Sequence, residues 1–189
     1  MLTLPNFLTM LRIAGIPVFL ILLTGGHFAA ALVLFVLAAL TDTIDGALAR
    51  IMDSRSELGA VLDPLADKLL QVSTFIVLAV IGAIPYWLLV IVLSRDAVIL
   101  LGFASLYLIS AEPVAVDPSA LGKATTFFQL FTIGFTVTHL ARPDLPMDVG
   151  CQLIQYCTAA ASAASGLQYV YIGLLTYQRT GTATKKESA

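Results

Sequence analysis

Six long apolar segments account for most of this chain, separated by five short breaks rich in Gly, Pro or charged residues. Their approximate extents are 7–24, 28–50, 61–82, 86–110, 121–140 and 150–177. A bilayer core is crossed by about 20 consecutive apolar residues in a helix, so the pattern predicts an all-α fold: an integral membrane bundle of six transmembrane helices. The breaks are Thr24-Gly25-Gly26-His27, a turn over 51–60, Gly82 to Pro85, Glu112 to Ser119 and Arg142 to Asp148, punctuation expected of turns. With 59% hydrophobic residues, 12% charged residues and a mean hydropathy of +0.94, the composition lies outside the soluble globular range. The length suits one membrane domain over 1–177, followed by a polar and mobile tail over 178–189. No internal repeat or soluble second domain is visible. The first segment reads as a retained helix rather than a cleaved signal, because its start lacks basic charge, Arg12 interrupts it, and another span follows at once.

Basic residues orient the bundle. With both termini in the cytoplasm, Arg12, Arg50, Arg55, Lys68, Lys123, Arg179, Lys185 and Lys186 fall on the cytoplasmic side, Arg142 falls outside, and Arg95 lies within a span. The expected location is therefore the cell (inner) membrane, multi-pass, with the second-to-third helix connection facing the cytoplasm. The net charge of −2 says little about partners, and nothing in the sequence suggests nucleic acid.

Against this apolar background, one 26-residue stretch concentrates the chemistry. It reads Asp42-x-x-Asp45-Gly46-x-x-Ala49-Arg50, then eight residues, then Gly59-x-x-x-Asp63-x-x-x-Asp67. Charge near a bilayer is expensive, and ionisable residues there mark functional sites. In a helix Asp42 and Asp45 share a face, as do Asp63 and Asp67 on the next helix. Asp63-Pro64 predicts a helix start, with Asp as the cap and Pro in the first position. A short turn would bring both pairs to one membrane edge. Four carboxylates repel one another unless charge compensates them, and hard cations such as Mg²⁺ or Mn²⁺ take oxygen ligands. Gly46, Ala49 and Gly59 have almost no side chain, so a ligand can approach the backbone there. Carboxylates, a metal and a small-residue floor together suggest a site for a phosphate-bearing nucleotide. The competing reading is a solvated loop, which does not need helix-spaced pairs.

Other polar residues carry two readings each. Asn6, Thr9 and Arg12 recur at helical spacing near the start. They form either a wall contacting nucleotide phosphates or an interfacial anchor with Arg12 snorkelling. Ser94-Arg95-Asp96 interrupts the fourth apolar run; Arg95 is either a phosphate ligand or part of a buried pair with Asp96, or Asp96 with Lys123, that fixes packing. Lys123 is a second phosphate ligand or a cytoplasmic anchor. His27 and His139 fall on the far side from the aspartates. Cys151 and Cys157 have no metal-ligand companions and read as reduced, structural residues. The small-residue run Thr158 to Gly166 permits close helix contact, within the subunit or across a dimer seam.

The aspartate pattern, with every fixed position present, resembles the signature of the CDP-alcohol phosphatidyltransferases, and the resemblance extends more loosely over the whole chain. It implies transfer of a CMP-activated phosphoryl group to an alcohol with release of CMP. It also implies CDP-diacylglycerol as donor, Mg²⁺ or Mn²⁺ (two ions) as cofactor, and a homodimer. On this resemblance Asp42, Asp45, Asp63 and Asp67 hold metal, and Asp67 is also the general base on the acceptor hydroxyl. Gly46, Ala49, Arg50 and Gly59, with Asn6 and Thr9, contact the nucleotide, while Arg12, Arg95 and Lys123 serve the phosphates and an anionic acceptor. The segment Pro5-Asn6-x-Leu8-Thr9-x-x-Arg12 is similar to the start of phosphatidylglycerophosphate synthases, which favours sn-glycerol 3-phosphate as acceptor. Two departures point elsewhere. Those synthases commonly carry Arg-Glu where this chain has Arg95-Asp96, and Gly-Lys-x-Lys-Thr where it has Gly122-Lys123-Ala124-Thr125-Thr126. Both are closer to the CDP-alcohol type of cardiolipin synthase, whose acceptor is phosphatidylglycerol. An ion-coupled transporter is the reading from another class, but it predicts carboxylates scattered over several helices and depths.

Overall fold

A computed structural model describes the backbone of residues 4–51, 57–109 and 119–187, and the side chains of residues 10–41, 64–102 and 119–175. The described elements are six helices: α1 (Leu4–Thr24), α2 (Phe28–Ile51), α3 (Glu57–Val80), α4 (Tyr86–Ile109), α5 (Ala120–Ala141) and α6 (Asp148–Glu187). No strand occurs among the described residues. The 52–56 part of the second turn, with Arg55, and residues 110–118 lie outside the described residues.

Glycine terminates two of the helices. Gly26 and Gly82 have φ of 75° and 76°, the left-handed region open to a residue without Cβ. His27 N–H donates to the Leu22 carbonyl at 2.8 Å and Gly26 N–H to Leu23 at 3.2 Å. Ala83 and Gly82 repeat the pattern on Leu78 and Ala79, at 2.8 and 3.0 Å. These paired bonds satisfy the last carbonyls of α1 and α3. At the other end, Ser119 caps α5: its Oγ accepts the Gly122 N–H at 3.0 Å.

Two expectations need correction. Pro64 does not open the third helix; α3 begins at Glu57 and Pro64 lies inside it. The helix is already formed when it reaches Pro64, and an internal proline costs it only one backbone donor. Nor does the helix of the sixth segment stop before a loose tail, since α6 continues to Glu187. Extending a formed helix adds one hydrogen bond per residue fixed, without a new nucleation cost.

The chain divides into two units, one of residues 1–85 and 130–152, the other of 86–129 and 153–189. In the first, α1 packs against both α2 and α3. Its buried stripe is Arg12, Ile16, Phe19 and Leu23, a spacing of four, three and four residues that keeps one helix face inward. Phe19 stacks on Phe35 of α2 with ring centroids 6.0 Å apart. On α3 the buried side chains include Ala66, Gln71, Thr74, Phe75 and Leu78.

In the second unit, the first part of α5 meets α6 along a seam of small polar residues. Thr125, Gln129, Thr158, Ser162 and Ser165 are buried there. The Thr158 hydroxyl donates to the Phe128 carbonyl at 3.0 Å, and the Thr125 hydroxyl lies 3.0 Å from the Ala161 carbonyl, so each helix reaches the other's backbone. The Thr158–Gly166 run is thus used within the chain, as small residues are where helices approach closely. Among the described residues, no helix is long and apolar enough to cross a membrane.

Candidate functional site

The aspartate motif straddles the end of α2 and the start of α3. Asp42, Asp45, Gly46, Ala49 and Arg50 fall in the last turns of α2, and Gly59, Asp63 and Asp67 in the first three turns of α3. The helical backbone places Asp42 and Asp45 on one face, and Asp63 and Asp67 on one face. Ile51 and Glu57 are six peptide steps apart, so the two helix ends are held within about 22 Å. Asn6 and Thr9 lie in the first turns of α1, on the face that carries Arg12. The side chains of Asn6, Thr9, Asp42, Asp45, Gly46, Ala49, Arg50, Gly59 and Asp63 lie outside the described ones. Among the described residues, no group of three His, Cys, Asp or Glu side chains could hold a metal ion.

One contact joins the N-terminal polar segment to the motif. Arg12 Nη1 donates to Asp67 Oδ1 at 3.1 Å, across 55 residues of sequence. The arginine side chain is 5% exposed and the aspartate 54%. Arg12 therefore does not snorkel outward as an anchor; it is buried against the last carboxylate of the motif. That geometry neutralises one charge of the cluster on its buried side and leaves the carboxylate open to solvent on the other. Sequence spacing could not have paired these residues, because the contact depends on how α1 lies against α3.

An apolar groove of about 420 Å³ begins at the same place. Arg12 and Thr41 line one part, Gly15 and Leu37 the middle, and Phe19 and Phe35 another. Thr41 immediately precedes Asp42, and its hydroxyl is turned back on the Leu37 carbonyl at 2.7 Å. No added Cβ at Gly15 would meet an atom within 4 Å, so the groove is open over this residue.

In the second unit, Arg95 of α4 is held by α6. Its Nε and Nη2 donate to Ser165 Oγ at 3.3 and 3.2 Å, and its Nη1 to Asp96 Oδ1 at 3.0 Å. The guanidinium carbon stands 6.0 Å from the centre of the Tyr169 ring, within cation–π range. The Arg95–Asp96 pair expected as a packing device is present, with side chains 10% and 8% exposed. Ser165 and Tyr169 were not singled out from sequence, although hydroxyls at helical spacing among the alanines of α6 were a readable signal. Lys123 is exposed on the first turn of α5, beside Gly122.

The remaining candidates have partners or surroundings of their own. His139 Nε2 pairs with Asp148 Oδ1 at 3.3 Å, and Arg142 with Asp144 at 3.5 Å. Cys151 is buried and Cys157 partly so, and both are free thiols.

Known proteins resemble the chain over nearly its full length. A sequence model of the CDP-alcohol phosphatidyltransferase family matches residues 2–176. The probable phosphatidylglycerophosphate synthase of Mycobacterium tuberculosis is 36% identical over 88% of this chain and 79% of its own. A CDP-diacylglycerol–glycerol-3-phosphate 3-phosphatidyltransferase of Bacillus subtilis is 30% identical over 89% of this chain and 94% of its own. A cardiolipin synthase (CMP-forming) of Streptomyces coelicolor is 39% identical over 67% of this chain and 60% of its own. With the aspartate motif intact and the match covering five helices and most of the sixth, the chain belongs to the CDP-alcohol phosphatidyltransferase family and is an enzyme of that class.

Proposed function

We propose that this enzyme transfers a phosphatidyl group from CDP-diacylglycerol to sn-glycerol 3-phosphate and releases CMP. The observation that carries the reading is the Arg12–Asp67 contact, which ties the synthase-like N-terminal segment to the last aspartate of the motif. The apolar groove starting at Arg12 and Thr41 supports a lipid donor, since an acyl chain fits beside a polar reacting group there. Phosphatidylglycerol is the second acceptor to consider, favoured by Arg95-Asp96 and by the resemblance to a cardiolipin synthase.

Asp42, Asp45, Asp63 and Asp67 fit a hard divalent cation, Mg²⁺ or Mn²⁺, because they offer only oxygen donors, in helix-spaced pairs. Such a cation, held by these aspartates, would supply positive charge to offset the pyrophosphate and the departing CMP. The chain's own residues do the rest. Gly46, Ala49 and Gly59 let the cytidine approach the backbone, with Asn6, Thr9 and Arg50 as its polar neighbours. Asp67, oriented by Arg12, takes the proton of the acceptor hydroxyl. The hydroxyl oxygen forms a bond to the phosphorus that carries diacylglycerol, and the bond from that phosphorus to the CMP oxygen breaks, its electron pair leaving with CMP. Arg95 and Lys123 hold the phosphate of the acceptor.

The same reading puts the six helices in a lipid bilayer as a homodimer, with the motif and both termini at the cytoplasmic face of the cell membrane. In its support, large apolar side chains such as Ile21, Val33, Leu37 and Leu100 point outward at 54–68% exposure, an arrangement suited to lipid rather than water. The test is CMP release by protein in detergent with CDP-diacylglycerol and Mg²⁺, supplying glycerol 3-phosphate and phosphatidylglycerol in separate reactions. Release that requires glycerol 3-phosphate is expected. Release only with phosphatidylglycerol makes the enzyme a cardiolipin synthase, and release with neither refutes both acceptors.

A further inference from the structure

We propose that Ser165 of α6, backed by Tyr169, is a positioning residue that fixes the Arg95 guanidinium for the phosphate of the acceptor. The inference rests on the transfer reading above and goes beyond it, to how the acceptor's phosphate is recognised.

The geometry distinguishes Ser165 from a packing residue. A guanidinium has five N–H groups in a rigid fork. Ser165 Oγ accepts from Nε at 3.3 Å and Nη2 at 3.2 Å, and Asp96 Oδ1 accepts from Nη1 at 3.0 Å. Those contacts use three N–H groups and leave one on each terminal nitrogen. Two parallel donors of this kind match two oxygens of a phosphate. Tyr169 stands beside the guanidinium carbon at 6.0 Å and limits how the plane can turn. Ser165 directly follows the exposed Ala163 and Ala164 and is itself fully buried, with its hydroxyl turned to Arg95.

The surroundings also favour an anion. A Cβ built on Gly122 would lie 3.5 Å from Arg95 Nη2, 3.2 Å from the Tyr169 hydroxyl and 3.3 Å from Ser119 Oγ. Arg95, Tyr169 and Ser119 thus pack directly over the bare face of Gly122, and the missing Cβ lets the guanidinium lie close to the N-terminal end of α5, the end that carries partial positive charge. Asp96 offsets the single charge of Arg95, so recognition depends on the direction of the remaining N–H groups rather than on net charge. Direction is what Ser165 supplies.

The phosphate can belong to free glycerol 3-phosphate or to the headgroup of phosphatidylglycerol, and the two are tested in separate arms. The variants are Ser165→Ala and Ser165→Thr, in the full chain in detergent. The readouts are calorimetric binding of glycerol 3-phosphate, or of phosphatidylglycerol in mixed micelles, and the KM values for donor and acceptor in CMP release. Ser165→Ala should weaken acceptor binding and raise acceptor KM about tenfold, while the KM for CDP-diacylglycerol stays within about twofold. Ser165→Thr keeps the hydroxyl and should restore the parent values. The arm that responds identifies the acceptor. Unchanged acceptor affinity in Ser165→Ala overturns the proposal, and so does an equal loss for donor and acceptor, which is what a purely structural role produces. If the parent protein releases no CMP with either acceptor, the transfer reading fails, and the binding arms still decide on Ser165: equal binding by parent and Ser165→Ala, or none by either, overturns it.

Discussion

Replacing Arg12 with Gln tests the link between α1 and the aspartate motif most directly. The substitution keeps much of the buried stem and a donor but removes the charge that faces Asp67 Oδ1 at 3.1 Å. Two limits bracket the loss. A fully buried pair broken on one side costs about 3–5 kcal/mol, and an exposed pair is worth about 0–1 kcal/mol. Here the arginine is 5% exposed but the aspartate 54%, so solvent screens one partner. An intermediate loss of about 1–2 kcal/mol in unfolding free energy follows. Activity should fall more than stability does, because Asp67 loses the group that orients it as a base; about a ten- to hundredfold drop in kcat is expected for a displaced proton acceptor. The assays are CMP release under saturating donor and acceptor, and denaturant unfolding in mixed micelles for the parent, Arg12→Gln, Asp67→Asn and the double variant. The unfolding cycle should give a coupling of about 1 kcal/mol between the two positions. A kcat within twofold of the parent, together with coupling indistinguishable from zero, would refute the argument that Arg12 orients Asp67.

Three further outcomes are expected. Asp63→Asn should abolish CMP release, and chelation with EDTA should do the same to the parent protein until Mg²⁺ or Mn²⁺ is restored; activity that survives both would remove the metal from the mechanism. Gly15→Leu should fold, since nothing stands within 4 Å of an added Cβ, yet raise the KM for long-chain donor severalfold relative to a short-chain analogue by filling the groove. Thr158→Val deletes the hydrogen bond to the Phe128 carbonyl and should lower unfolding free energy by roughly 0.6–1 kcal/mol, measured by the same titration, without changing either substrate's KM.

Much of the architecture was readable because glycine and proline mark the chain so clearly. Gly26 and Gly82 end helices where the apolar runs break, and Pro85 precedes α4. The misreadings came from signals that are local and ambiguous. Asp63-Pro64 has the form of a helix start, yet a helix already under way can carry a proline at the cost of one hydrogen bond. The polar composition beyond Gln178 suggested a loose end, but helix extension asks little of each added residue. The site divides the same way. The aspartates announce themselves by spacing within one stretch. Arg12 with Asp67 and Arg95 with Ser165 are separated by 55 and 70 residues, and only the packing of one helix on another brings them together.

The 55-residue separation of Arg12 and Asp67 also bears on the order in which the protein can be made. An arginine buried without its partner is expensive, about 3–5 kcal/mol when a buried pair is broken on one side. When α1 emerges from the ribosome its counter-charge has not been synthesised. At about 5–20 residues per second, Asp67 follows some 3–11 s later. During that interval the Arg12–Asp67 contact cannot form, and α1 takes its place against α3 only after α3 has been made. α1 is therefore made before, but seated after, the helix that neutralises its arginine.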